Sequence, residues 1–243
     1  MPPKKTWSPS KRFYLYLTAF VLIVITVDTY QKTVQVTQRK GQIAIIDPLS
    51  RSDETGFTEQ CRSLFLSEGY EVDITKGAEV TVDKLKQIPK DYETLILRVH
   101  SGLFDDSVWF FTSERYDATT HVLEQINGDL HIARTSPESD LVFAVGAQFI
   151  MKHFKNRLQD TLVILMGCNG LSTNDLGDSF LRCGARAYIS WDGPITLEHT
   201  DKTSLLLIEK LLGGETIENA VHISCNTTKP ENIYYSRLLY IYE

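Results

Sequence analysis

Short apolar runs alternate along most of the chain with stretches whose apolar residues recur every three or four positions, the pattern of strands alternating with amphipathic helices. The strand-like runs are QIAIID at 42–47, YEVDI at 70–74, TLILRV at 94–99, TLVILMG at 161–167 and ARAYISW at 185–191, with YYSRLLYIY as a last strand. Helical patterns fall between them: GFTEQCRSLFLSEG, VDKLKQI, LGDSFLRCG, EHTDKTSLLLIEKLLGG and ETIENAVHISC, several closed by glycine. The strands are nearly continuous in apolar residues rather than alternating, which a parallel sheet covered on both faces requires. The order predicts an α/β, doubly wound, mostly parallel sheet with helices on both faces over residues 42–243. Residues 103–160 break the regularity with VWFFTSERY and a mixed segment holding His121, His131 and His153, so an elaborate crossover with a hairpin and helices is expected there.

The N-terminus has a different pattern. Lys4, Lys5, Lys11 and Arg12 precede the charge-free run FYLYLTAFVLIVITV at 13–27, a membrane-targeting signature. As a helix it rises ~22 Å, short of a ~30 Å hydrocarbon core unless flanking side chains extend it. Trp7, Tyr14 and Tyr16 suit a membrane interface, and no small-x-small cleavage pattern follows the run. The reading is an uncleaved single-pass anchor over residues 1–30, a polar linker at 31–41, and a body that the basic residues before the span place outside the cytoplasm.

The net charge of −6 argues against a nucleic-acid partner, since duplex binders carry a basic face that releases counterions. Cys61, Cys168, Cys183 and Cys225 form no disulfide framework if one must stay a free thiol. The histidines lack the close spacing of a zinc site and EF-type loops are absent, so neither metal nor other cofactor is expected.

Candidate chemistry lies at two strand ends. RVHSG puts His100 just past one strand, and MGCNG puts Cys168 just past the next core strand. Parallel neighbours are ~4.8 Å apart, so both groups would emerge on one edge of the sheet, where open α/β sheets bind ligands. A cysteine nucleophile beside a histidine suits attack on an acyl carbon, because thiolate is strongly nucleophilic and imidazole shuttles a proton near neutral pH. Gly102 and Gly170 would let backbone amides approach an oxyanion. Glu114 and His199 are weaker candidates. Glutaminase-type chemistry is disfavoured, since a nucleophile elbow wants glycine where Met166 stands.

A strand ending in His with a nearby Gly, then a strand ending in Gly-Cys, resembles the caspase-like cysteine peptidases, the clan of caspases, gingipains, clostripain, legumain and separase. The likeness spans residues 42–242, and CNGLSTNDLGDSFLRCGARAYISWDGP looks most like gingipain-type and uncharacterised archaeal members. It implies a caspase-like fold and peptide-bond hydrolysis by His100 and Cys168, with peptides or proteins as substrates. It also implies an oxyanion hole drawn from Ser101, Gly102 and Cys168, and a specificity pocket drawn from Asp47, Met166 and Asp192. Two carboxylates in one pocket would favour Arg or Lys before the scissile bond. The clan usually has glycine directly after the histidine, but Ser101 stands there in this chain. That departure, with the lone anchor, motivates an alternative expectation: a membrane-bound binding or signalling module that has lost turnover.

Overall fold

The structure, a computed structural model, describes residues 18, 20–23, 40–50, 55–230 and 233–242. The chain divides into two compact units, Met1–Lys40 and Gly41–Glu243. Most of the expected anchor, with its basic flank, and nearly all of the expected linker lie outside the described residues. Of the anchor, Thr18 and residues 20–23 are described and helical. Among the described residues no helix is long and apolar enough to cross a membrane.

In the larger unit the chain runs β1 (Gln42–Asp47), α1 (Phe57–Ser67), β2 (Glu71–Lys76), α2 (Val82–Lys86) and β3 (Thr94–Leu97). It continues through β4 (Ser101–Phe104), β5 (Ser107–Arg115), α3 (Val122–Ile126), β6 (Leu130–Ala133), β7 (Val142–Val145) and α4 (Ala147–His153). It ends with β8 (Thr161–Leu165), α5 (Asp175–Arg182), β9 (Ala185–Trp191), α6 (Leu197–Leu212), α7 (Ile217–Thr228) and β10 (Leu238–Ile241). The fold is α/β, with a mostly parallel six-stranded sheet in the order β10-β9-β8-β3-β1-β2. Only β10 runs antiparallel, against β9.

Continuous apolar runs arise because each strand feeds two cores. Ile43, Ile45, Ile96, Leu162 and Ile164 meet Phe57, Cys61, Leu207 and Ala220 of α1, α6 and α7. Their neighbours Ala44, Ile46, Leu95, Leu97, Val163 and Leu165 join Leu85, Phe149 and Phe180 of α2, α4 and α5. Each fully buried Leu, Ile or Phe contributes roughly 1.5–3 kcal/mol, more than a helix cap at roughly 1 kcal/mol, so the two cores outweigh local signals. In α1 the buried Phe57, Cys61 and Phe65 recur every four residues, the stripe that turns this helix onto the sheet.

The irregular crossover is more ordered than its sequence suggests. It forms a second, fully antiparallel sheet in the order β4-β5-β7-β6. Val108, Phe110, Phe143 and Val145 point into the core below β3 and β8, so one face of this sheet closes the larger domain. Strand order reverses between β1 and β3, which makes the carboxyl ends of those strands the expected binding edge.

Candidate active site

The register of the parallel sheet pairs Leu97 of β3 with Leu165 of β8. His100 and Cys168 each lie three positions beyond those partners, so the two chain tips leave the sheet side by side. Ser101 ties them together: its hydroxyl donates to the Cys168 carbonyl at 2.6 Å. Gly167 makes that approach possible, since a Cβ there would stand 2.1 Å from Ser101 Oγ and 2.8 Å from the Val99 carbonyl oxygen. The backbone contact cannot swing away, so any side chain at 167 would force the tips apart.

Cys168 is half-buried. Its sulfur lies 3.5 Å from both the carbonyl and the N–H of Ile195. The thiol can donate to the first, and a thiolate can accept from the second. Ile195 immediately precedes Thr196, whose side chain caps the start of α6 by accepting from the His199 N–H; a helix start favours nearby negative charge. Thr200, in the first turn, donates to the Met166 carbonyl at 3.0 Å and accepts from Trp191 Nε1 at 2.9 Å. The Cys168 loop is thus clamped to α6. Asn169 adopts the left-handed conformation at φ 59°, which asparagine tolerates, and its N–H donates to the Gly193 carbonyl at 2.9 Å. Gly170 is explained by packing, because a Cβ would sit 1.9 Å from Ser190 Oγ.

The backbone amides that follow His100 are oriented by the antiparallel ladder. The Phe111 N–H donates to the His100 carbonyl at 2.8 Å, which makes His100–Phe111 a hydrogen-bonded pair. Ser101–Phe110 is then a non-bonded pair and Gly102–Trp109 a bonded one. The Ser101 N–H therefore turns away from β5, while that of Gly102 belongs to the ladder. Among the described residues the Cys168 N–H donates to no backbone acceptor.

His100 reaches solvent at the rim of a cavity of about 250 Å³ beside Pro48, Leu49, Phe111 and Thr112. Surrounding protein, and secondarily the positive charge of Arg98, holds its pKa below the ordinary imidazole value. The ring is therefore neutral near pH 7, the form that can accept a thiol proton. No hydrogen bond joins it directly to Cys168 Sγ.

The expected carboxylate pocket does not form from Asp47, Met166 and Asp192. Asp47 is wholly buried and accepts from Arg98 Nη1 at 3.0 Å, Thr58 Oγ1 at 2.6 Å and the Leu49 N–H at 2.9 Å. Arg98 is itself fully buried and donates from Nε and Nη2 to both carboxylate oxygens of Asp201, each at 2.9 Å. Burial opposes the Arg98 charge, but the bonds to Asp201 and Asp47 win and raise its pKa. Asp192 accepts from Arg237 Nε at 2.9 Å and from the Arg237 N–H at 2.7 Å. Met166 packs in the core beneath α6. Both carboxylates hold arginines of this chain, so the basis for a basic-residue preference is removed.

Arg98 and Asp201 stand outside the residues expected from the sequence. The signal was an arginine inside an apolar strand, which demands a buried partner; the partner lies 103 residues away. Glu114 is structural, its two oxygens taken by His121 Nε2 at 2.7 Å and the Val82 N–H at 2.8 Å. His199 stands in the first turn of α6 against Trp191. His131 packs edge-on to Phe104 and Trp109, and His153 Nε2 is buried without a partner. Among the described residues no group of three metal-ligating side chains converges. Compared with models of protein families and with curated proteins, the sequence matches none.

Proposed function

We propose that the protein is a cysteine endopeptidase of caspase-like fold, held at a membrane by its N-terminal segment with the catalytic body outside the cytoplasm. The observation that carries the reading is the matched offset of His100 and Cys168 beyond paired residues of β3 and β8, with Ser101 locking the two tips. In this mechanism Cys168 Sγ attacks the scissile carbonyl carbon and its proton passes to His100. The oxyanion is held by the N–H groups of Ser101 and Cys168, the two amides not spent in the ladder. Collapse breaks the C–N bond as His100 protonates the leaving amine, leaving an acyl-thioester on Cys168. Water, deprotonated by His100, then releases the acid and restores the thiol.

The serine that replaces the clan's glycine fits this scheme, because its amide is still presented and its hydroxyl braces the nucleophile loop. Full-length protein is to be incubated with a proteome-derived peptide library and new termini read by mass spectrometry. The wild type should cut and Cys168→Ala should not, with unchanged circular dichroism. Cleavage that survives in Cys168→Ala contradicts the assignment. Absence of cleavage by the wild type favours a module that keeps the fold without turnover.

A further inference from the structure

The outer face of the antiparallel sheet adjoins His100 and has its own concavity. Within β5, Val108 and Phe110 point into the core, so Trp109 and Phe111 point outward by the two-residue period of a strand. Together with Gly102, Leu103, Phe104 and His131 they wall a cavity of about 160 Å³. Phe111 also lines the cavity beside His100, so its ring is the wall the two cavities share, and the trough at Phe104 and Trp109 adjoins the one at the imidazole.

Several features of the trough point to an apolar occupant. Leu103 and Phe104 are 48% and 51% exposed on β4, which is an edge strand. Apolar side chains on an open edge invite aggregation, and proteins usually replace them with charges or proline. The cavity is also close in size to one of about 150 Å³ that takes up benzene. Gly102 faces Trp109 across the ladder, so a side chain at 102 would project into the trough. At present a Cβ there would meet nothing within 4 Å, so the glycine keeps the space open. It is not needed for backbone conformation, because Gly102 is not among the positive-φ residues.

We infer that this trough is the specificity subsite of the proposed peptidase, and that it takes a bulky apolar side chain, Leu, Met or Phe, lying within two residues of the scissile bond. The inference rests on the peptidase reading for the identity of the ligand. The sequence order supports it by continuity: Ser101, assigned to the oxyanion hole in the proposed mechanism, and Gly102, whose missing side chain opens the trough, are consecutive. The basic preference expected from Asp47 and Asp192 has no such support, since both are paired within the chain.

The test maps cut sites of the full-length wild type in the peptide library and compares a matched pair of peptides, with Phe or Ala at the selected position. Leu, Met and Phe should be enriched near the cut. Gly102→Leu on β4 and Ala133→Phe on β6, where Ala133 also lines the trough, should each lower kcat/KM for the Phe peptide about ten-fold or more, the low end of what an apolar pocket contact decides. The rate at which iodoacetamide labels Cys168 should stay unchanged, which reports an intact nucleophile loop. Enrichment of Lys or Arg, no enrichment, or full activity of both filled variants on the Phe peptide overturns the subsite. If the wild type cuts nothing, the peptidase reading fails separately, and calorimetry of the same two peptides judges the trough. Phe-selective binding lost in Gly102→Leu then upholds it, and equal or absent binding overturns it.

Discussion

The six-stranded sheet is covered on both faces, and every residue of β8 is buried, whereas the four-stranded sheet turns one face to the core and leaves Trp109, Phe111 and His131 around a cavity on the other. The first fixes the ends of β3 and β8 to a common register and clamps the Cys168 loop to α6. The second has apolar surface that its own fold does not consume. On the proposed reading, rigid placement of the reacting groups would fall to the first sheet and contact with a ligand to the second, the two being joined at His100 and Ser101, where β3 passes into β4.

If the division is real, disruption should differ by sheet. Arg98→Met would leave Asp47 and Asp201 buried without their shared cation. Breaking a buried pair in this way costs about 3–5 kcal/mol, which urea denaturation of the variant should register as a large loss of stability. A change below 1 kcal/mol would mean that the larger sheet does not depend on its internal ion cluster. On the other sheet, Phe104→Ala removes an exposed ring whose principal aromatic contact is edge-on to His131, with centroids 4.0 Å apart. Such a pair is worth about 0.5–1.5 kcal/mol, and the same denaturation series should place the loss there. A loss as large as that of Arg98→Met would erase the distinction between frame and contact surface.

Acid gives the smallest and sharpest comparison. Because the folded state lowers the His100 pKa, the unfolded chain binds this proton more readily. The contribution of His100 to stability is fully present above its ordinary value of about 6.5 and is lost as pH falls below it. Stability measured between about pH 7.5 and 5 should decline more steeply in the wild type than in His100→Gln. Parallel declines would mean that the imidazole is not held neutral by its surroundings. His153, also lowered, by burial and then by Lys86 and Lys152, remains in both proteins and cancels from the difference.

Much of the larger sheet was legible because two-faced burial writes itself into a strand as unbroken apolar sequence. QIAIID and ARAYISW coincide with β1 and β9 to the residue. TLILRV and TLVILMG were read as strands past their actual ends, since Arg98, Val99, Met166 and Gly167 are buried as completely as strand residues but leave the ladder to carry His100 and Cys168. The antiparallel direction of β10 was not legible, because pairing with β9 depends on where the C-terminal segment returns. The second sheet was read only as a hairpin with helices: its strands β6 and β7 have four residues each, too few to establish a period. Of the candidate site, the placement of His100 and Cys168 past the ends of neighbouring strands could be read from position alone. The fate of Asp47 could not, because Thr58 and Arg98 reach it from 11 and 51 residues away.

The central claim, that the two strand tips make Cys168 a nucleophile, is tested most directly by thiol labelling of the full-length protein at pH 6–7, read residue by residue. Burial raises the pKa of Cys61, Cys183 and Cys225, while Cys168 is half-buried with the Ile195 N–H facing its sulfur. Iodoacetamide should modify Cys168 much faster than the other three, and His100→Gln should slow that reaction. Labelling of Cys168 no faster than Cys225, or unaffected by loss of the imidazole, contradicts the account.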